Sequence, residues 1–387
     1  MNRAKETLFM RRMHVGAMLH RPSASTDRLL ADAVRFSELP SPTDREEARA
    51  TWVVERLNAL SLTPSVDEQG NVLVRLGGYS SPDERPYLVF AFLGTSRWDP
   101  VKSYARVELD SAHGAGLGDA IGPAALLSLA ESITSGEVRI DRDCILFFLA
   151  RPANGALGGA FDALLSDPNL LPVSAIGLDS YSLGHISPQG LGTWRLRVRV
   201  RCSSGYSAVD SAVSLAQKLG GVRWDAAGST RCHIRRVRAG SGYTKEPLDG
   251  VIDLEVESPD PATLEMAKEA VLATAKTIEA LPDVRVESEE LGFTPVGDGA
   301  VNEVLLSHIR EAMRGLHIPI HEEDHPDPAA WFSARGIPAL SIALSAGSEG
   351  SEEDVIDIAS LETGRRLLLA LARSAAGSDT SPEEVHA

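Results

Sequence analysis

The chain has 387 residues, of which 43% are hydrophobic and 24% are charged, and its formal net charge at pH 7 is −16. This length favours two domains over a single core, and the acidic balance argues against a nucleic-acid partner, which needs a basic surface. No apolar run approaches the roughly 20 residues of a membrane span, so we expect no membrane partner. Three cysteines, Cys144, Cys202 and Cys232, cannot all pair, which predicts free thiols and a cytoplasmic location.

Hydrophobic periodicity predicts alternating helices and strands on both sides of a different middle segment. Residues 1–24 are predicted to form a flexible arm and residues 376–387 an acidic tail. The first half is predicted to contain helices at 27–38, 121–132 and 157–166, a further helix after the capping-box pair Thr43 and Glu46, and strands at 72–76, 87–93, 144–150 and 174–178. The last part is predicted to contain helices at 299–314, 328–334 and 360–374 and strands at 316–320 and 338–344.

The middle segment, residues 191–295, has the order β-α-β-β-α-β of a ferredoxin-like α+β unit. Nearly continuous apolar strands such as Tyr87–Leu93 predict a central sheet that helices cover on both faces. We therefore expect an α/β domain with a mixed sheet, built from residues 25–190 and 296–375. The ferredoxin-like insert would interrupt it, and the two crossings would be hinges. Within the insert, strands are predicted at 193–201, 231–238, 251–257 and 284–289, and helices at 208–219 and 261–279.

Three stretches carry a family resemblance, which covers roughly residues 27–375. Residues 114–127, GAGLGDAIGPAALL, resemble the Gly-x-Gly-x-x-Asp…Gly-x-Ala-Ala-Leu-Leu run of the two-zinc exopeptidases and deacylases. That family contains tripeptide aminopeptidase, glutamate carboxypeptidase, succinyl-diaminopimelate desuccinylase and acetylornithine deacetylase. Residues 175–179 and the run from Gly336-Ile337-Pro338 to 353–358 are similar to further motifs of the family. The resemblance implies a zinc-exopeptidase-like large domain whose insert serves as lid and dimerisation domain.

The resemblance also implies a set of metal ligands, most of which this chain lacks. Two zinc ions need imidazole and carboxylate ligands, and a separate glutamate takes the proton of the metal-bound water. The bridging aspartate corresponds to Asp119 and the second-metal aspartate to Asp179. The other positions hold residues that cannot serve: Phe92 for the first histidine, Gly94 for the aspartate after it, Ala153 for the general base, Asn154 for the adjacent glutamate, and a position on or near Gly350 for the last histidine. The positions of the insert that contact the substrate in the family also hold other residues here: Tyr206, Lys245 and Glu257.

Two carboxylates that face one cavity without metal repel each other, so a cation is expected beside them. Arg97 and Arg151 follow the strands that lost their ligands, and we hypothesise that one of them is the counter-charge. Asp119 and Asp179 would otherwise be structural carboxylates that cap a helix and a loop. The candidate ligand pocket therefore contains Asp119, Asp179, Arg151, Arg97, Asn154, Tyr206 and Lys245.

Several other polar runs leave alternatives open. The segment His321–Asp327 reads as a solvated acidic loop, and a metal site rebuilt from His321–His325 is the alternative. His113 is interpreted as a turn histidine. A stripe of arginines alternates along the first strand of the insert and continues on the next, either as a solvated sheet face or as a contact for an acidic partner chain or anionic ligand: Arg195, Arg197, Arg199, Arg201, Arg231, Arg235, Arg236 and Arg238.

These residues predict a catalytically inactive homologue of metallopeptidases and amidohydrolases, without a cofactor. It would act as a non-catalytic subunit, scaffold or binding protein for a small molecule or peptide. It would form a homodimer, or a heteromer with an active relative, through the insert. One alternative is a peptidase or N-acyl-amino-acid amidohydrolase whose zinc is held by altered ligands, and another is a metal-free enzyme in the same cleft.

Overall fold

The structure is a computed structural model and describes residues 23–41, 45–77, 84–95, 104–150, 157–203, 207–220, 222, 224–225, 228–240, 242, 244–279, 283–350 and 352–374. Its helices are α1 (Ala24–Glu38), α2 (Glu47–Ala59), α3 (Leu117–Thr134), α4 (Leu157–Ser166), α5 (Ala208–Gly220), α6 (Pro261–Glu279), α7 (Gly299–Gly315), α8 (Ala330–Ser333) and α9 (Ile358–Ser374).

The strands fall into a central sheet, an insert sheet and two small accessory sheets. Those of the first half are β1 (Ser65–Val66), β2 (Val72–Leu76), β3 (Tyr87–Phe92), β4 (Arg106–Val107), β5 (Ser111–Gly114), β6 (Cys144–Leu149), β7 (Ser174–Asp179) and β8 (His185–Ile186). Those of the second half are β9 (Gly192–Cys202), β10 (Arg231–Ala239), β11 (Asp249–Ser258), β12 (Val284–Thr294), β13 (His321–Glu322), β14 (Ala339–Ala343), β15 (Gly347–Ser348) and β16 (Asp354–Asp357).

The central sheet has the strand order β1-β2-β6-β3-β7-β14 and is mixed. Strands β6, β3, β7 and β14 run parallel, whereas β1 and β2 pair antiparallel at one edge. Helix residues such as Phe36 and Leu126 form one apolar layer on the sheet, and Phe161 and Phe332 belong to the layer on the other face. This arrangement confirms the predicted α/β class, because strands buried on both faces need helices on both sides.

The insert is a separate four-stranded antiparallel sheet of order β10-β11-β9-β12, with α5 and α6 packed on one face. Its own core includes Trp194, Leu215, Leu254 and Val271. This is the ferredoxin-like order that the sequence predicted. The two chain crossings lie side by side, because the backbone N–H of Gly297 donates a hydrogen bond of 3.0 Å to the carbonyl of Gly190.

Two local predictions are wrong. Residues 316–320, where a strand was expected, form the turn and loop after α7, because the backbone N–H groups of Leu316 and Ile318 donate to the carbonyls of Ala312 and Met313. The nearest strand, β13, begins only at His321. Glu46 stands at the N-cap position of α2 and its side chain makes no capping bond. Its expected partner Thr43 lies outside the described residues.

The accessory sheets were not predicted, since their strands have only two to four residues. One has the order β15-β16-β5-β4 and the other pairs β13 with β8. They link the loops at the carboxyl edge of the central sheet. Within the described ranges, no helix is long and apolar enough to cross a membrane.

Candidate functional site

The carboxyl ends of β3 and β7 and the first turn of α3 form the candidate site. Phe92 ends β3 and Asp179 ends the neighbouring strand β7, while Asp119 lies in the first turn of α3. Helix α3 reaches this edge because Gly122 has no side chain. A Cβ there would lie 3.0 Å from the carbonyl oxygen of Leu178 and 3.1 Å from the Cβ of Ala91. The structure thus brings Phe92, Asp119 and Asp179 to one edge of the sheet, where clefts of open α/β sheets form.

The glycine-rich loop before α3 is shaped by close packing. Gly116 has a left-handed φ of 72°, which favours glycine. A side chain at Gly118 would overlap the hydroxyl group of Tyr181. The backbone N–H of Gly118 donates a hydrogen bond of 3.1 Å to Oδ2 of Asp354, a carboxylate that is 1% exposed. These contacts fix the start of α3, and with it Asp119, against the loop that follows β7.

Asp119 and Asp179 face a common acidic cleft. The Asp179 side chain is exposed to solvent at the end of β7. Partial loss of hydration among the surrounding protein atoms still raises its pKa, and the carboxylates of Asp327 and Asp119 raise it further, whereas the hydrogen bond from Ser180 and the charge of His325 lower it. The backbone N–H of Ser180 donates to Oδ1 of Asp179 over 2.7 Å. No residue in the described part of the chain donates a hydrogen bond to the Asp119 carboxylate. Loss of hydration is thus the main cause of the raised pKa of Asp179, and repulsion from the neighbouring carboxylates adds to it.

A pair of buried charges from α2, Glu46 and Arg49, lies beside the end of β3. Arg49 is fully buried and donates from Nη1 to the carbonyl oxygen of Leu93. Glu46 is 5% exposed, and its Oε1 stands where a Cβ on Gly94 would have to be. Sequence reasoning missed this pair and considered Arg97 and Arg151, which lie outside the described residues.

A signal for Arg49 was present in the sequence. Arg49, Val53 and Leu57 follow one another at intervals of four, and all three are buried. A charged residue on the apolar stripe of a helix is a candidate for a specific buried partner. The structure thus places a cation from α2 at the end of β3.

Two positions that the family resemblance assigns to ligands, Phe92 and Gly350, have no side-chain ligand atoms. The ring of Phe92 packs edge-on against Phe90, with 6.3 Å between centroids. A side chain at Gly350 would overlap the carbonyl oxygen of Glu353. Of the further candidates, Lys245 is exposed in the loop between β10 and β11. Ala153, Asn154 and Tyr206 lie outside the described residues.

The histidine-rich segment is only partly the solvated loop that was predicted. Its first five residues are exposed, and the ring of His321 lies 4.9 Å from that of His185, centroid to centroid. Asp327 departs from the prediction, because it is buried and accepts hydrogen bonds from Ser341 and from the backbone of Ala329. Over the ranges that the structure covers, no three histidine, cysteine, aspartate or glutamate side chains form a metal-binding group.

His113 also departs from its interpretation as a turn residue. It lies within strand β5, and its Nε2 is 2.9 Å from Oγ of Ser111.

The arginine stripe of the insert is a ladder of ion pairs with acidic residues on the neighbouring strands. The clearest pair is bidentate: Nε and Nη2 of Arg197 donate to Oδ1 and Oδ2 of Asp253 over 2.7 and 3.1 Å. These bonds lower the pKa of Asp253. Much of the arginine charge is therefore neutralised within the sheet, and contact with an acidic partner stays a prediction. The other pairs are Arg195 with Glu255, Arg199 with Glu289, Arg201 with Glu287, Arg235 with Glu255 and Glu257, and Arg236 with Asp253.

These residues do not fit a two-zinc centre. Such a centre needs imidazole and carboxylate ligands converging on two ions. Here Phe92 and Gly94 have no ligand atoms, and the carboxylate of Glu46 lies beside Gly94. What this edge of the sheet offers instead is a pair of carboxylates, Asp119 and Asp179, and a buried guanidinium, that of Arg49, bound to the carbonyl of Leu93.

Comparison with solved structures finds the same fold in several peptidases. A tripeptidase from Staphylococcus aureus subsp. aureus Mu50 matches 91% of this chain and 98% of its own, with 16% identity and a TM-score of 0.71. Human carnosine dipeptidase 1 matches 91% and 97%, with 11% identity and a TM-score of 0.72. The Bacillus subtilis YXEP protein, a dinuclear metal-binding peptidase of the M20 family, matches 91% and 99%, with 15% identity and a TM-score of 0.64.

At such identities the likeness shows the fold. No protein-family model and no curated protein sequence matches the chain. The fold and the insert-domain architecture are those of the peptidases and amidohydrolases that the sequence resembles.

Proposed function

We propose that this protein is a non-catalytic relative of the two-zinc peptidases and amidohydrolases, which binds a ligand or partner in place of hydrolysing one. The observation that carries the proposal is the end of β3. The positions for a histidine and an aspartate hold Phe92 and Gly94, and Glu46 and Arg49 lie against the same strand end. Compared with the family pattern, this strand end lacks the ligand atoms, and the side chain of Glu46 fills the space beside Gly94.

The missing general base supports the same proposal. The glutamate that takes a proton from metal-bound water contributes about 10²–10⁴-fold to such reactions. Its position in this chain is Ala153, and the adjacent ligand position is Asn154. An alanine cannot accept a proton, so zinc bound elsewhere in the cleft would still lack this base.

We further propose that the insert carries the contact with a partner, which is a second copy of the chain or an active relative. Copurification from the native host identifies that partner. If a hydrolase copurifies, loss of this chain is expected to lower the activity or amount of that hydrolase. If neither a second copy nor another protein associates, the scaffold form of the proposal fails.

An activity panel tests the absence of catalysis. Dipeptides, tripeptides and N-acyl amino acids are incubated with the protein, with and without added Zn²⁺, beside the S. aureus tripeptidase as a positive control. We expect no turnover above the uncatalysed rate. Turnover that a chelator abolishes would instead support the alternative function, a hydrolase with altered zinc ligands.

A further inference from the structure

A second concave site lies at the hinge between the two domains. It is a groove of about 690 Å³, which is within the usual range for small-molecule sites. Its lining comes from both crossings between the domains, from the start of α6 in the insert and from the start of α7 in the large domain. We call it the hinge groove, and its lining residues are Gln189, Pro261, Leu264, Glu265, Phe293, Pro295, Val296, Gly297, Asp298, Gly299, Ala300 and Ala334.

The hinge groove is separate from the acidic cleft. Oδ1 of Asn302, near the start of α7, accepts a hydrogen bond of 2.9 Å from the backbone N–H of Ala339, the first residue of β14. The groove therefore lies near the amino end of β14. Asp179 is at the carboxyl end of β7 and pairs with Ala343, the last residue of β14. The length of β14 places these two ends about 13 Å apart along the sheet.

The apolar wall of the hinge groove is provided by the insert and the crossing strand. Leu264 is 2% exposed and Val296 is 9% exposed, so each belongs mainly to the core and offers the groove only a small apolar surface. Phe293 is half-buried, and its ring lies 6.1 Å from that of Trp331, centroid to centroid. Such a wall favours a hydrocarbon or aromatic body in the ligand.

The polar side of the groove is acidic. Asp298 caps the start of α7. Its Oδ1 accepts both capping hydrogen bonds, from the backbone N–H groups of Ala300 and Val301. Glu265 binds the ammonium of Lys268 through Oε1 over 2.9 Å. Each carboxylate therefore keeps its second oxygen for a further donor. No lysine or arginine is among the lining residues.

The start of α7 does not turn the groove into an anion site. The N–H groups of a first helical turn attract anions when they are unpaired. Here Asp298 already accepts from two of them. Lys268 does not line the groove, but its Nζ lies 4.7 Å from the centroid of the Phe293 ring, so this ring is able to face an ammonium.

We propose that the hinge groove binds a small organic cation with an apolar body. Its ammonium group would be held by the second carboxylate oxygens of Asp298 and Glu265, and its body would lie against Leu264, Phe293 and Val296. Because Leu264 belongs to the insert and Asp298 to the large domain, the bound ligand stabilises one angle between the two domains. This site does not depend on the function proposed for the acidic cleft.

The test uses phenethylammonium as the probe and phenethyl alcohol as its neutral analogue. Titration is followed by calorimetry and by the fluorescence of the protein, since Trp331 lies beside Phe293. Saturable binding is expected for the cation, and binding of the alcohol should be at least about fivefold weaker. The double variant Asp298→Asn, Glu265→Gln is expected to lose that preference, since asparagine still caps α7.

Glu269→Gln is the matched control, because Glu269 is an exposed carboxylate on the same helix α6 and does not line the groove. It should bind the cation as the unaltered protein does. Three results would overturn the proposal: no saturation up to about 10 mM, equal binding of cation and alcohol, or unchanged binding by the double variant.

Discussion

The carboxyl group of Glu46 lies where a side chain at position 94 would begin, since a Cβ built on Gly94 would overlap Oε1 of Glu46. Arg49, three residues further along α2, is fully buried and bonds to the carbonyl of Leu93. A glycine at the end of β3 and a glutamate at the start of α2 therefore depend on each other. An aspartate at position 94, as the family resemblance implies, would introduce a second carboxylate into space that is already filled.

Gly94→Asp is accordingly expected to lower the free energy of unfolding by about 1–3 kcal/mol, through overlap and through repulsion of Glu46. Replacing Glu46 by alanine in the same protein should recover part of that loss. Urea unfolding of the two single variants and the double variant gives the coupling energy. Additive losses would show that the two positions do not compete for the same space.

Asp179→Asn is expected to stabilise the protein at neutral pH. Although its side chain is exposed, partial loss of hydration and the nearby carboxylates raise the pKa of Asp179, so the folded protein holds this proton more tightly than the unfolded chain does. The stability of the unaltered protein therefore falls as the pH rises from the ordinary aspartate range through the raised pKa. The advantage of the variant should shrink as the pH falls toward about 4, where the unfolded carboxyl also begins to be protonated.

Unfolding of both proteins from about pH 4 to pH 7 measures this difference directly. If Asp179→Asn is less stable than the unaltered protein at neutral pH, the charged carboxylate has a stabilising partner. The description of an acidic cleft would then be wrong.

Asp253→Asn tests the ion-pair ladder of the insert. The bond from Arg197 holds the pKa of Asp253 below its usual range, so this carboxylate stabilises the folded state above the ordinary aspartate pKa. We expect a loss of about 1–2 kcal/mol at neutral pH. The loss should disappear as the pH falls through the lowered pKa, because the carboxylate is then protonated in both states.

Glu289→Gln provides the matched control for the ladder. Its pair with Arg199 is more exposed, with 40% of the arginine and 52% of the glutamate side chain accessible. Its loss should stay below about 1 kcal/mol. Equal losses for the two variants would mean that burial does not set the strength of these pairs.

Gly297→Ala should disturb the hinge. A Cβ at this position would overlap the carbonyl oxygen of Gln189 in the other crossing strand, and a backbone atom cannot move aside cheaply. We expect a loss of about 1–3 kcal/mol. Gly299→Ala is the control, since its Cβ would meet the nearest atom at 3.6 Å and alanine favours the first turn of α7. Thermal unfolding of both variants distinguishes them, and similar midpoints would contradict the close approach of the two crossings.

Much of the fold could be predicted from the sequence because its signals are local. The spans 72–76, 157–166 and 261–279 agree with the structure residue for residue, since each is a regular apolar pattern between turn signals. The short strands β5 and β16 could not be predicted. Each has only four residues, too few to show a periodicity, and their pairing joins residues about 240 positions apart in the chain.

The candidate site was predicted in part for a similar reason. The sequence predicted that Asp119 and Asp179 lie close together, because each stands at the end of a predicted helix or strand. The closeness of Glu46 to Gly94 depends on how α2 packs against the central sheet, and no local pattern specifies that packing. The prediction for Asp327 was wrong because its acidic neighbours in the sequence suggest a solvent-exposed loop. Its own carboxylate is buried and accepts three hydrogen bonds.

The metal content of the full-length protein, purified without chelator and measured by elemental mass spectrometry, tests the central claim most directly. The S. aureus tripeptidase, carried through the same purification, is the reference. With Phe92, Gly94, Asn154 and Gly350 at ligand positions, we predict less than about 0.1 Zn²⁺ per chain, also after incubation with zinc and gel filtration. One or two tightly bound Zn²⁺ per chain would contradict the account.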